Sequence, residues 1–141
     1  MNGLLTEEWL YQKSSQEITS LLYEACLNQL EESIESIELK DFIKANEHLQ
    51  KASDILVRLG AGLNYEAGIL SDQLEQLYQY MVERLLVANL QKDGQIVEEI
   101  IVILNQLMTA WNEAMRSKKD QESNVIKQQK NRYEKLAIYD N

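Results

Sequence analysis

Apolar residues recur along this chain at intervals of three and four residues, the spacing of one face of an α-helix. The clearest case lies between residues 42 and 63, where the pattern alternates without a break through Phe42, Ala45, Leu49, Ala52, Leu56, Leu59 and Leu63. This run predicts an amphipathic helix. An earlier helix is predicted to begin at the capping box formed by Ser14 and Glu17, and to end at about Glu38.

Two further helices are predicted from the same spacing. The third extends from about Ile69 to Leu90, and the fourth begins near Gln95, after a turn at residues 92–94. Because the connections at residues 39–41 and 92–94 are short, the helices that they join should run antiparallel. The predicted fold is all-α, an antiparallel four-helix bundle.

Charge divides the chain near Arg116. Of the 14 basic and 23 acidic residues, the segment 116–141 holds 7 basic and 4 acidic ones, whereas the rest of the chain is strongly acidic. We therefore predict a bundle over residues 14–116 and a basic, mobile tail over residues 117–141, with at most one or two helical turns. Residues 1–13 are predicted to be an N-terminal arm that covers a second apolar face of the first helix.

Composition excludes several classes of function. A net charge of −9 repels nucleic acid, and the longest apolar run, residues 100–104, is too short to span a membrane. The 141 residues include no proline and five glycines, which is typical of long helices. A single cysteine, Cys26, cannot form an internal disulfide, so a cytosolic location is expected.

The sequence lacks the residue sets that catalysis or cofactor binding requires. Its one histidine, His48, has no Glu three residues before it, so a di-metal bundle site is not predicted. A zinc site would need four ligands, and only Cys26 and His48 could supply nitrogen or sulfur. Across the predicted hairpin these two residues are offset by about 9 Å, too far for a nucleophile–base pair. We expect neither an enzyme nor a bound metal or cofactor.

Several segments resemble the flagellar export chaperones of the FliS type. They are Lys44-Ala45-Asn46-Glu47 with Lys51-Ala52, Leu77-Tyr78-Gln79-Tyr80 with Ala88-Asn89 and Asp93, Leu22-Tyr23, Ala110-Trp111 and the N-terminal Tyr11. The resemblance extends over residues 11–116. It implies a cytosolic chaperone that binds the disordered C-terminal segment of flagellin, prevents premature polymerisation and delivers the subunit to the flagellar secretion apparatus.

A partner groove is predicted on the second apolar stripes of the second and third helices. Its predicted residues are Ile55, Leu59, Tyr78, Val82 and Leu85, with Tyr11 at the edge, as the resemblance implies. The sequence leaves open whether the flagellar export gate or a regulator is a further partner. It also leaves open whether the chain is a monomer or a homodimer. The alternative function is a structural homodimerising bundle, or a regulatory binding module without flagellin as cargo.

Overall fold

Four α-helices account for nearly all of the chain that can be described. The computed structural model describes residues 15–66 and 71–139, and the helices are α1 (Ser15–Glu38), α2 (Phe42–Glu66), α3 (Ser71–Gln91) and α4 (Gly94–Tyr139). The predicted all-α four-helix architecture is confirmed. The chain divides into two compact units, Met1–Met108 and Thr109–Asn141.

The turn between α1 and α2 is a Schellman motif. Lys40 adopts the left-handed conformation, with φ at 59°, and the Asp41 amide donates to the Ser36 carbonyl at 2.8 Å. Asp41 then caps the next helix, because its carboxylate accepts a hydrogen bond from the Lys44 amide at 3.2 Å. Asp41 thus closes the Schellman motif after α1 and caps the first turn of α2. The chain reverses its direction within residues 39–41.

The turn between α3 and α4 repeats this arrangement. Lys92 is left-handed, with φ at 51°, and the Asp93 amide donates to the Ala88 carbonyl at 3.0 Å. The Asp93 carboxylate accepts a hydrogen bond from the Gln95 amide, also at 3.0 Å. Lysine occupies the position where glycine is the usual choice in both turns, so each turn carries a conformational cost.

Replacing Lys40 with glycine is expected to raise the free energy of unfolding by about 0.5–1 kcal/mol. Glycine adopts the left-handed conformation without steric cost, and this gain exceeds the entropy that glycine adds to the unfolded chain. Urea denaturation measures the change. Lys92→Gly is the comparison: it should gain less, because the Lys92 ammonium donates to the Asn89 carbonyl at 2.6 Å. A lower midpoint for Lys40→Gly would contradict the prediction.

Small residues let α1 and α2 pack closely. Cys26, Ser33, Ala45 and Ala52 are all fully buried, and the Cys26 thiol donates to the Ala52 carbonyl at 3.6 Å. The Ser33 hydroxyl donates a hydrogen bond to the Leu30 carbonyl of its own helix at 2.6 Å, so this buried hydroxyl is satisfied. Cys26 is therefore a core residue.

The larger core side chains come from all four helices. The fully buried ones are Leu30, Leu49, Leu56, Met81, Leu85, Val97, Ile100 and Leu104. Along α2 the predicted stripe is buried from Ala45 to Leu59, while Phe42 is partly exposed in the first turn. Along α4, Val97, Ile100 and Leu104 are buried, and Trp111 is half-buried. The buried side chains therefore come from all four helices, and on α2 they lie on the predicted face.

Beyond residue 116 the chain is more regular than its sequence suggested. Helix α4 continues to Tyr139, whereas one or two marginal turns were expected. Residues 124–132 are exposed along this helix. The prediction of an N-terminal arm, including Leu4, Leu5, Trp9 and Leu10, concerns residues outside the described ones.

Truncation before Ser117 is expected to leave the bundle folded. Nearly all buried core residues precede Met108, and the unit Thr109–Asn141 is compact by itself. Thermal unfolding followed by circular dichroism would compare the truncated chain with the full one. We expect melting midpoints within about 4 °C of each other, the equivalent of under 1 kcal/mol for this size. Loss of the cooperative transition would show that the boundary lies elsewhere.

Candidate functional site

An open apolar cavity of about 370 Å³ lies between α2 and α3. Its lining residues are Leu56, Val57, Gly60, Ala61, Glu75, Tyr78, Gln79 and Val82. Leu86 follows Val82 by four residues and therefore lies on the same face of α3. We call the surface formed by these nine residues the α2–α3 groove.

Polar contacts fix the register of the two helices that form the groove. The Asn89 amide of α3 donates to the Asn46 side-chain oxygen of α2 at 2.8 Å. The Lys92 ammonium binds the Asn89 side-chain oxygen at 2.5 Å, which orients that amide. At the other end α2 and α3 are in contact at Gly60, where a Cβ would lie 3.7 Å from the Cβ of Tyr78, an ordinary van der Waals distance. The groove is thus held at both ends.

A buried tyrosine pair supports the wall of the groove. The hydroxyls of Tyr23 and Tyr78 share a hydrogen bond, and their ring centroids are 6.5 Å apart at an interplanar angle of 29°. Burial raises the pKa of both hydroxyls, and for Tyr78 the contact with Tyr23 raises it further. Burial also raises the pKa of the nearby Cys26 thiol to about 12. All three groups are therefore neutral at physiological pH.

The five predicted groove residues that the structure describes fall into three groups. Tyr78 and Val82 line the α2–α3 groove. Leu59 and Leu85 are buried in the core, so they are not on a second, exposed stripe. Ile55 lies seven residues after His48, whose Nδ1 donates to Gln29 of α1 at 2.7 Å. Ile55 is therefore on the α1 side of α2, away from the groove. Tyr11 lies outside the described residues.

Two groove residues were missing from the prediction. Val57 and Leu86 are exposed apolar side chains. Val57 lines the cavity, and Leu86 lies one turn after Val82 on the same face of α3. The buried residues of α3 are Tyr78, Met81, Leu85 and Ala88, and Leu86 is not among them.

The groove suits apolar contact more than chemistry. Its polar lining groups are Glu75 and Gln79, placed on one side. Among the described residues, no group of three or more His, Cys, Asp or Glu side chains could hold a metal ion. Within the same residues, no helix is both long and apolar enough to cross a bilayer.

The fold and the groove define a helical bundle with an exposed apolar surface between two of its helices. The sequence matches the family model of flagellar protein FliS over residues 6–118. It is 33% identical over 112 residues to the flagellar secretion chaperone FliS of Salmonella typhimurium, covering 78% of this chain and 83% of that protein. It is also 32% identical over 103 residues to the flagellar secretion chaperone FliS of Bacillus subtilis, covering 73% of this chain and 77% of that protein. The chain belongs to the FliS family, and the resemblance noted from the sequence is confirmed.

Proposed function

We propose that this protein is a cytosolic flagellar export chaperone that binds the disordered C-terminal segment of flagellin in the α2–α3 groove. Binding would keep the subunit unpolymerised and deliver it to the flagellar secretion apparatus. The observation that carries the proposal is the open apolar surface at Val57, Val82 and Leu86 in a chain of the FliS family.

The groove has the properties that an amphipathic helix requires of its receptor. Helices α2 and α3 flank an open apolar cavity, so a helix of the cargo can lie along it and bury one face. A segment that folds as it binds loses conformational entropy at that step, which keeps the complex reversible despite a large contact. A chaperone that must release its cargo needs this combination. In this proposal Tyr11 lies at the edge of the groove, as the family resemblance suggests.

A synthetic peptide with the sequence of a flagellin C-terminus is expected to bind the full chain at one-to-one stoichiometry. It should gain helical ellipticity, with a negative heat-capacity change, because apolar area leaves water. Titration calorimetry at two or more temperatures measures stoichiometry and heat capacity together. No detectable heat at peptide concentrations of about 100 μM would contradict the proposal.

Val57→Asp tests the location of the site, with Val102→Asp as its matched control. Val57 is 58% exposed in the α2–α3 groove, and Val102 is 57% exposed on α4. Both variants should fold, since neither side chain is buried. Val57→Asp should weaken peptide binding at least about tenfold, because its carboxylate would lose water in the complex. Equal binding by the two variants would place the cargo on another surface.

A further inference from the structure

A second open cavity, of about 520 Å³, lies between the end of α1, the turn at residues 92–94 and the beginning of α4. None of its lining residues lines the α2–α3 groove, and they are Ile34, Ile37, Glu38, Gln91, Lys92, Asp93, Gly94, Gln95 and Glu98. Ile34 and Ile37 are half-buried, so they give the cavity an apolar floor. The cavity is thus a separate surface, which the proposed binding of cargo does not use.

Helical spacing extends this surface beyond the cavity. On α1, the half-buried Leu27 precedes Ile34 by seven residues and therefore lies on the same side of the helix. On α4, Val102 follows Glu98 by four residues, and its side chain is 57% exposed. We use the name α1–α4 groove for the surface formed by Leu27, Glu31, Ile34, Ile37, Glu38, Glu98 and Val102.

The edges of the α1–α4 groove are acidic. Helix α1 holds six glutamates and no lysine or arginine, and four of these glutamates are exposed along one side, namely Glu24, Glu31, Glu35 and Glu38. Helix α4 has no lysine or arginine before Arg116, and Glu98 is exposed next to the cavity. Each helix that forms the groove therefore contributes only negative charge to it.

The two turns at this end of the bundle each contain a lysine. Lys92 lines the cavity, but its ammonium donates to the main-chain and side-chain oxygens of Asn89 in α3, at 2.6 Å and 2.5 Å. Lys40, in the turn after α1, is not among the lining residues. The apolar floor thus lies between acidic edges whose charge no lysine of the groove itself neutralises.

We propose that the α1–α4 groove binds a basic amphipathic helix of a second protein, in addition to the cargo site. The exposed glutamates from Glu24 to Glu38 extend for about 21 Å, which matches about four turns of a bound helix. Apolar side chains of the partner enter the cavity at Ile34, while its lysines or arginines reach Glu31 and Glu98 at the edges.

Charge decides for this occupant against the nearest alternative, the N-terminal segment of the same chain. Residues 1–14 contain two glutamates and one lysine, so they offer no positive charge to match the acidic edges. A basic helix from another protein supplies both the apolar face and the opposite charge. The proposal does not depend on the identity of the cargo, because the two grooves share no residue.

A labelled peptide of about 14 leucine and lysine residues, with the leucines at intervals of three and four, is the probe for the full chain. Fluorescence anisotropy at about 0.15 M salt should show saturable binding that weakens as salt is raised. A peptide with glutamate in place of lysine, and one in which leucine and lysine alternate, should each bind at least about tenfold less tightly. No saturation at about 100 μM protein, or equal binding of the alternating peptide, would overturn the proposal.

Glu31→Lys combined with Glu98→Lys tests the location of the site. Both side chains are exposed, so the variant should fold, and the leucine–lysine peptide should bind to it at least about tenfold less tightly. Glu47→Lys with Glu83→Lys is the matched control, since it makes the same change of net charge at exposed positions of α2 and α3. An equal loss in the two double variants would mean that the peptide responds to net charge alone, and the α1–α4 groove would not be its site.

Two further measurements on the Glu31→Lys, Glu98→Lys variant separate this site from other occupants. Sedimentation velocity should give the same mass for the variant and the wild type, whereas self-association lost only in the variant would identify a second copy as the occupant and overturn the proposal. The flagellin peptide should bind both proteins equally, because the α2–α3 groove is unchanged. Loss of the flagellin peptide in the variant alone would overturn the separation of the two sites, and its failure to bind either protein would count against the proposed function only.

Discussion

Leu86→Asp is expected to leave the protein folded and weaken cargo binding at least about tenfold, whereas Leu85→Asp is expected to unfold it. The two leucines are neighbours in α3, but Leu86 is 60% exposed and Leu85 is 1% exposed. An aspartate at position 85 would be buried without a partner, at a cost comparable to the whole stability of a small domain. At position 86 the carboxylate stays in water until a cargo helix covers it.

Circular dichroism and peptide calorimetry on the same preparations separate the two effects. Leu86→Asp should keep the wild-type helical signal and melting transition, and its peptide affinity should fall at least about tenfold. Leu86→Ala is the milder comparison, since it removes apolar area without adding a charge and should weaken binding less. A folded Leu85→Asp variant, or a Leu86→Asp variant that binds the peptide normally, would contradict the assignment of these side chains.

The helices and most of the core could be predicted because the apolar spacing is regular. In α2 the alternating pattern from Ala45 to Leu59 is the buried face. In α1 the positions of apolar residues are a weaker guide, because Ser33 and Ser36 are buried while Ile34 and Ile37 are half-buried. A serine hydroxyl that bonds to its own helix, as Ser36 does to the Glu32 carbonyl at 3.0 Å, is no obstacle to burial.

The groove could be predicted only in part. Periodicity showed that α3 has a broad apolar surface, but it could not decide which of Leu85 and Leu86 faces the core. That choice depends on the rotation of α3 about its axis, which the long-range contact between Asn46 and Asn89 fixes. Such a contact joins residues far apart in the chain and leaves no local pattern.

The regular helix beyond residue 116 has a simpler explanation. The last glycine of the chain is Gly94 and there is no proline, so nothing in the sequence ends α4 early. The scarcity of apolar residues beyond residue 116 predicted a mobile tail, whereas the helix propensities of the residues there favour a helix. The structure agrees with the helix propensities.

Alkaline pH is expected to destabilise the protein through Cys26, Tyr23 and Tyr78. All three are buried and neutral in the folded state, where burial raises their pKa. Above pH 9 the unfolded chain loses these protons more readily than the folded one, so the free energy of unfolding falls as pH rises. Their contribution is fully present below the pKa of the unfolded groups and is lost as the pH rises toward the folded values. For Cys26, whose pKa rises from 9.0 to about 12, the loss is about 2 kcal/mol by pH 10.5.

Urea denaturation at pH 8 and pH 10.5 measures this loss, and two substitutions identify its source. Cys26→Ala should remove the largest part of the difference between the two pH values, although the small cavity that it leaves lowers stability at both. Tyr78→Phe should reduce the difference further, because one of the two coupled hydroxyls is gone. Tyr80→Phe is the control, since Tyr80 is 47% exposed and should change the pH dependence little. An unchanged pH dependence in Cys26→Ala would mean that the thiol ionises as readily in the folded chain as in the unfolded one.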